Sequence, residues 1–291
     1  MMKSTMSYKP TNKNGEYLFD SDIEFDFPVE LHFVRIEEFD NPDAYKVLIL
    51  SSENAKSPNR ESIASVISQH KKYDLILCDD DEIVDACPNA VLFPYGSTWL
   101  NRGKIDHPDG LGYFDPEVEI FKKRDRTLND VSFLASWYNI DRAGYYTRRE
   151  VWQRQEEIEI PKMFFTSRKS FLDAPNPLPT GEKEDLFHSM FHICVENQRV
   201  RNHFGEKLID PIITYTVPIY CGCPNIGDFF DVRGMILFDT VDDLIPKINA
   251  LTMESYSDMM EYVEKNRKIA ESYANFSERI EEVICQKAPK T

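Results

Sequence analysis

KVLILSSENAKSPNRESIASVISQHKKYDLILCDDDEIVDACPNAVLFP, residues 46–94, decides the fold class. KVLIL is a short, continuous apolar run closed by the polar SSEN, the pattern of a strand buried on both faces. Past Pro58, residues 60–70 carry a helical pattern. DLILC (74–78) repeats the strand pattern, an acidic stretch suggests a second short helix, and AVLFP (90–94) reads as a third strand. Strand, helix, strand, helix, strand at this spacing is a parallel sheet with crossover helices. Working outward, residues 17–34 alternate as one or two further strands, and residues 1–15 carry no periodic pattern. Residues 100–128 concentrate Gly, Pro and charge and read as a linker. A second α/β set follows: strand VSFLAS (131–136), a helix over 145–157, FFTS (164–167), a helix near 185–190, strand FHICVE (191–196), a helix over 206–214, and strands TVPIY (216–220) and MILF (235–238). Residues 241–285 are amphipathic helix, with Met259, Met260 and Val263 near helical spacing. The expected architecture is α/β, with two Rossmann-like domains facing across a cleft. Residues 1–128 form the first and residues 129–291, with the helical tail, the second. Ligands of such domains bind in the cleft, at the carboxyl ends of the strands.

Composition narrows the function. The 291-residue chain has 42% hydrophobic and 29% charged residues, as soluble globular proteins do. A net charge of −16 argues against a nucleic-acid surface, which requires clustered Lys and Arg. It leaves room for a small anion in a local cationic pocket. No run approaches the ~18 apolar residues of a membrane span. The opening MMKSTMSYKPTNKNGEYLFD lacks the apolar stretch of a signal peptide, so a cytoplasmic location without integral membrane association is expected. Six scattered cysteines read as reduced, buried hydrophobes, and Cys221-Gly222-Cys223 lacks C-x-x-C spacing for zinc.

G-x-G-x-x-G, G-x-x-x-x-G-K-[ST] and G-x-S-x-G are all absent, so a ligand must be held by other means. The densest polar segment is FHICVENQRVRNHFGEKLID (191–210). It leads from a buried strand through a loop with Arg199, Arg201 and His203 into a helix opened by Gly205-Glu206-Lys207. A helix start preceded by cations is an anion site, because free N–H groups and the helix dipole both favour negative charge. Glu206 is there either an acceptor for ribose hydroxyls or a plain first-turn carboxylate. Lys207 is either a phosphate partner or a solvated charge.

VENQRVRNHFGEKLID followed by YTVPIYCGCPNIGDFF resembles the donor-binding segment of the α-1,3/1,4-fucosyltransferase family. That family shows F-E-N, then T-E-K, then T-(V/I)-P-(I/V)-y-x-G-x-P. Asn197 and Glu206 keep the nine-residue spacing of bacterial members, and Thr216-Val217-Pro218, Gly222 and Pro224 fall in place. SFLASWYN (132–139) resembles the family's F-V-(A/V)-S-N strand. LILSSENAKSPN (48–59) resembles the bacterial Y-T-G-E-N-E-S-P-N segment. The chain departs from the pattern at Val195 for Phe, Gly205 for Thr and His203 for Tyr, and lacks the second Glu of the upstream motif.

The resemblance implies the GT-B arrangement and inverting transfer of fucose from GDP-fucose to a hydroxyl of a glycan acceptor; the alternatives are a related GT-B transferase using another nucleotide sugar, or a catalytically silent carbohydrate-binding relative. It maps the catalytic base onto Glu53; the bland reading of Glu53 is a strand-end carboxylate capping the next helix. It implies that Asn197, His203, Glu206 and Lys207 bind the donor and that Glu196 supports the loop. One arginine of the helix after VSFLAS would meet the diphosphate: Arg148 or Arg149, with Arg142 the third choice. The GDP-sugar is then a co-substrate, and neither a cofactor nor an essential metal is expected. Asp79-Asp80-Asp81-Glu82, which invites a D-x-D metal reading, is expected to be a solvated acidic turn.

Overall fold

VLIL (47–50) and LILC (75–78) lie side by side because each is apolar at every position. In the computed structural model, which describes residues 7–8, 25–54, 61–102, 112–136, 142–167, 176–179 and 182–289, they are central strands of the first of two parallel sheets. The first sheet runs β1 (Ser7–Tyr8), β2 (Val29–Phe33), β3 (Tyr45–Leu50), β4 (Leu75–Cys78) and β5 (Ala90–Leu92), all parallel and in chain order. Its side chains alternate between faces. Leu48, Leu50, Ile76 and Cys78 pack with Val66 of α1 (Ile63–Gln69) and Ile83 of α2 (Asp81–Ala86). Val47, Ile49, Leu75 and Leu77 face the other way. Burial on both faces is why these strands read as unbroken hydrophobic runs.

The second sheet has β6 (Val131–Ala135), β7 (Lys162–Thr166), β8 (Phe191–Val195), β9 (Val217–Cys221) and β10 (Ile236–Leu237), in the order β10-β9-β8-β6-β7. One face packs against α3 (Ala143–Gln153) and α5 (Val241–Asn249) through Val151, Leu244 and Ile248. The other packs against α4 (Glu206–Ile213) and the end of α6 (Met253–Ala274) through Leu208, Ile212 and Ala270. The helix expected near 185–190 is a short 3-10 turn, Lys183–His188.

Two segments depart from their sequence reading. The linker's Leu100, Ile120 and Phe121 are buried in the core beneath α4, so its described residues, 100–102 and 112–128, form a packed strap. The tail is helical as read, and it is divided into three helices, the last of which packs elsewhere than its sequence position suggests. The last, α7 (Phe276–Lys287), returns to the first domain, where Phe276, Ile280 and Ile284 close the core over Val47 and Leu77. Helical spacing reports that a face is apolar but not which sheet it will cover, so residues 276–287 pack with the amino-terminal sheet although the sequence division groups them with 129–291. The ends of SFLASWYN (137–139) and of LILSSENAKSPN (55–59) lie outside the described residues, as does most of 1–24.

Candidate active site

The order of the second sheet reverses between β6 and β8, and such a switch point opens a crevice at the carboxyl ends of its strands. There β6 runs into Ser136, β8 runs into Glu196 and Asn197, and α3 approaches closely. A Cβ on Gly144 would lie 1.8 Å from the Glu196 carbonyl, so only glycine lets the helix come that near. From the opposite domain, β3 delivers the Ser52–Asn54 turn with Glu53.

Glu53 is the meeting point of the two domains. Its Oε1 accepts from Arg142 Nη1 at 2.9 Å and from Asn197 Nδ2. His203 Nε2 lies 3.9 Å from its Oε2, and Gln198 Nε2 donates to its main-chain carbonyl at 2.8 Å. Burial pushes the carboxyl up, but Lys207, His203, the Asn197 amide and Arg142 outweigh it and hold the group below the ordinary carboxylate range. The side chain keeps 21% of its surface exposed, so a small molecule can reach it.

The three candidate arginines separate by geometry. Arg148 is buried and donates to Val195 O (Nε, 3.0 Å, and again from Nη2), to Ser136 O (3.1 Å) and Oγ (3.3 Å) from Nη1, and to Asn197 Oδ1 (2.7 Å). These five contacts equal the five N–H groups of a guanidinium. Arg148 therefore orients Asn197 toward Glu53 rather than offering N–H groups to the cleft. Arg149, half-buried, is turned by roughly 100° around α3 from it. Arg142, the residue preceding α3, is the one that reaches Glu53.

At the start of α4, Glu196 accepts from Gly205 N at 2.9 Å and lies 3.5 Å from Lys207 Nζ. Lys207 also pairs with Glu206 at 3.1 Å. Glu206 in turn lies 3.6 Å from Lys183, which the sequence reading did not single out, and Lys183 lies 3.8 Å from Asp210. Burial raises Glu206, but Lys207 and Lys183 prevail and hold it ionised; the same carboxylates, Glu206 first, keep Lys207 protonated against its burial.

His203 and the acidic run differ from expectation. His203 is buried and points at the first domain. Its Nδ1 meets Asp79 Oδ2 at 2.7 Å and Ser51 Oγ at 3.4 Å. Asp79, only 1% exposed, is no solvated turn residue. Asp80 caps α2 by accepting from Glu82 N, and Asp81 receives Arg201 Nε at 3.0 Å and Asn202 Nδ2 at 2.6 Å. Asn202 holds the left-handed φ of 60° that Asn tolerates. Residues 79–81 are thus a docking edge for the 198–203 loop, since a buried carboxylate needs partners and the opposite domain supplies them. The available signal was position: Asp79 directly follows a strand of a Rossmann-like unit, where ligand-facing residues gather. Among the described residues, no group of three His, Cys, Asp or Glu is placed to hold a metal ion. No helix among them is long and apolar enough to cross a membrane.

Comparison with known proteins yields no matching family model. In sequence, 85 residues are 29% identical to the α-(1,3)-fucosyltransferase FucT of Helicobacter pylori; the match spans 28% of this chain and 18% of that protein's length. In structure, a crystallised α1,3-fucosyltransferase covers 84% of this chain and 77% of its own at 18% identity, with a TM-score of 0.48. Anabaena HepE, solved with UDP-glucose, covers 83% of this chain and 71% of its own at 8% identity, with a TM-score of 0.53. The fold is therefore that of the GT-B glycosyltransferases, and in sequence the chain is similar to the α-1,3-fucosyltransferases.

Proposed function

We propose that this chain is an inverting glycosyltransferase that moves fucose from GDP-fucose to a hydroxyl of a glycan acceptor, without an essential metal. The carrying observation is Glu53 of the first domain facing Arg142, Asn197 and Lys207 of the second: a carboxylate base opposite fixed cations. The acceptor hydroxyl gives its proton to Glu53 while its oxygen bonds to the anomeric carbon. The bond from that carbon to the diphosphate breaks, and its electron pair leaves with GDP. Arg142 and Lys207 offset the charge building on the diphosphate. Glu206 takes the ribose hydroxyls, and Arg148 holds Asn197 in place. The diphosphate competes with Glu53 for Arg142, so donor binding releases the base from the ion pair that silences it.

Calorimetric titration with GDP and UDP tests the donor. GDP binding more tightly than UDP, and Lys207→Ala weakening GDP by roughly 10- to 150-fold, are expected for a charge-assisted contact to phosphate. Glu53→Gln should bind GDP at least as tightly as the parent does, because Arg142 is freed for the diphosphate, and lower turnover by ~10²-fold or more, in EDTA as without it. Absent or equal binding of the two nucleotides removes the fucosyl donor. A preference for UDP would favour the second reading, a GT-B transferase with another nucleotide sugar, which the likeness to HepE supports.

A further inference from the structure

Asp79 uses both its oxygens at the domain boundary. Oδ1 accepts from Ser52 N at 2.5 Å, the main-chain group next to Glu53, and Oδ2 meets His203 Nδ1 at 2.7 Å. One carboxylate thus fixes the turn that carries Glu53 and the imidazole that comes from the other domain. With Nδ1 bound to Asp79, Nε2 faces Glu53 Oε2 at 3.9 Å. Ser51 Oγ completes the frame, accepting from Glu53 N at 3.3 Å and lying 3.4 Å from the imidazole. We propose that Asp79 and His203 are a positioning pair for Glu53: Asp79 orients the imidazole, and the imidazole holds the free oxygen of Glu53 in place and in its charged form. The inference rests on Glu53 being the base.

The groups facing the imidazole are Asp79 after β4, Glu53 after β3, Glu196 after β8, and the Tyr95 ring after β5, whose centroid is 6.3 Å away. Burial lowers the proton affinity of His203, but Asp79, then Glu53 and Glu196, outweigh it and raise the group above the ordinary histidine range. Tyr95 stays neutral, because burial beside Glu53 and Asp79 pushes its phenol up. A histidine whose proton affinity is raised by two carboxylates therefore sits where the domains meet and the proton is taken, whereas a tyrosine at 203 could carry no positive charge.

Two interacting charges must shift each other equally, so the coupling is measurable without any acceptor. The imidazole of His203 is followed by NMR against pH in the full-length, ligand-free protein, its signal assigned by its loss in His203→Gln. It should remain an imidazolium above the usual ~6.5. Glu53→Gln should lower its titration point by about 0.7 pH unit or more, which two unit charges ~4 Å apart give even at the dielectric of water. Asp79→Asn should lower it further. In GDP-fucose hydrolysis, with water as acceptor, His203→Gln should move the acid limb of kcat/KM upward while GDP affinity stays within about threefold. A folded Glu53→Gln protein in which His203 titrates as before overturns the pairing. So does a His203→Gln variant that loses GDP affinity tenfold with an unmoved acid limb, since His203 would then be a donor ligand. If Glu53→Gln hydrolyses donor at the parent rate while His203 still shifts, the base assignment fails and the electrostatic pair stands.

Discussion

Replacing Arg148 with Lys separates a structural role from a donor-binding one. Arg148 makes five contacts to Val195 O, Ser136 O and Oγ, and Asn197 Oδ1, all from a buried position. A lysine keeps the positive charge but has three N–H groups radiating from one atom, so at least two contacts are lost. Val195 O accepts two of the five, so the contacts reach four acceptors and three N–H groups leave at least one of them unsatisfied, at about 1–3 kcal/mol. At roughly 2–4 °C per kcal/mol Tm should fall by about 2–12 °C. The Asn197 amide also loses the partner that aims it at Glu53, so turnover should drop while GDP still binds the folded protein. Thermal melting with and without GDP reads both effects. A variant that melts within ~2 °C of the parent yet no longer binds GDP would refute the reasoning, because Arg148 would then be reaching a phosphate.

Arg142→Ala should do the reverse: Tm should change by only a few degrees, since a partly exposed ion pair contributes up to about 1 kcal/mol, while calorimetry finds GDP bound 10- to 150-fold more weakly by rough estimate. Asp210 predicts a pH dependence. It is fully buried, accepts from Thr98 Oγ1 and Trp99 N on Oδ1, and burial pushes its carboxyl up to about 7. The folded chain then binds a proton that the unfolded chain, near ~3.9, releases. This contribution to stability is full at low pH, falls as pH rises from about 4 to 7 at up to ~1.4 kcal/mol per pH unit, and is flat above. Asp210→Asn retains the acceptor oxygen and should remove that slope, so urea midpoints of the two proteins at pH 5 and pH 8 should diverge; parallel midpoints would refute it.

Much of the fold was legible because it is local. VLIL (47–50) and LILC (75–78) are apolar at successive positions, and only a strand covered on both faces needs that, so parallel sheets followed from residue order alone. The Asn197…Glu206-Lys207 spacing likewise located the start of α4 and the carboxylates around it. The rest depended on contacts between residues far apart in sequence. Arg142 and Arg148 are one residue type six positions apart, and only the placement of α3 turns one toward Glu53 and seals the other under β8. Asp79 stands in a run that reads as surface charge, yet burial and His203, 124 residues away, make it part of the site. The last helix shows an apolar stripe but no address, and it crosses back to the first sheet because Phe276, Ile280 and Ile284 complete that core. Periodicity encodes which faces are buried. Which partner buries them, and which charges thereby meet, is decided by long-range packing.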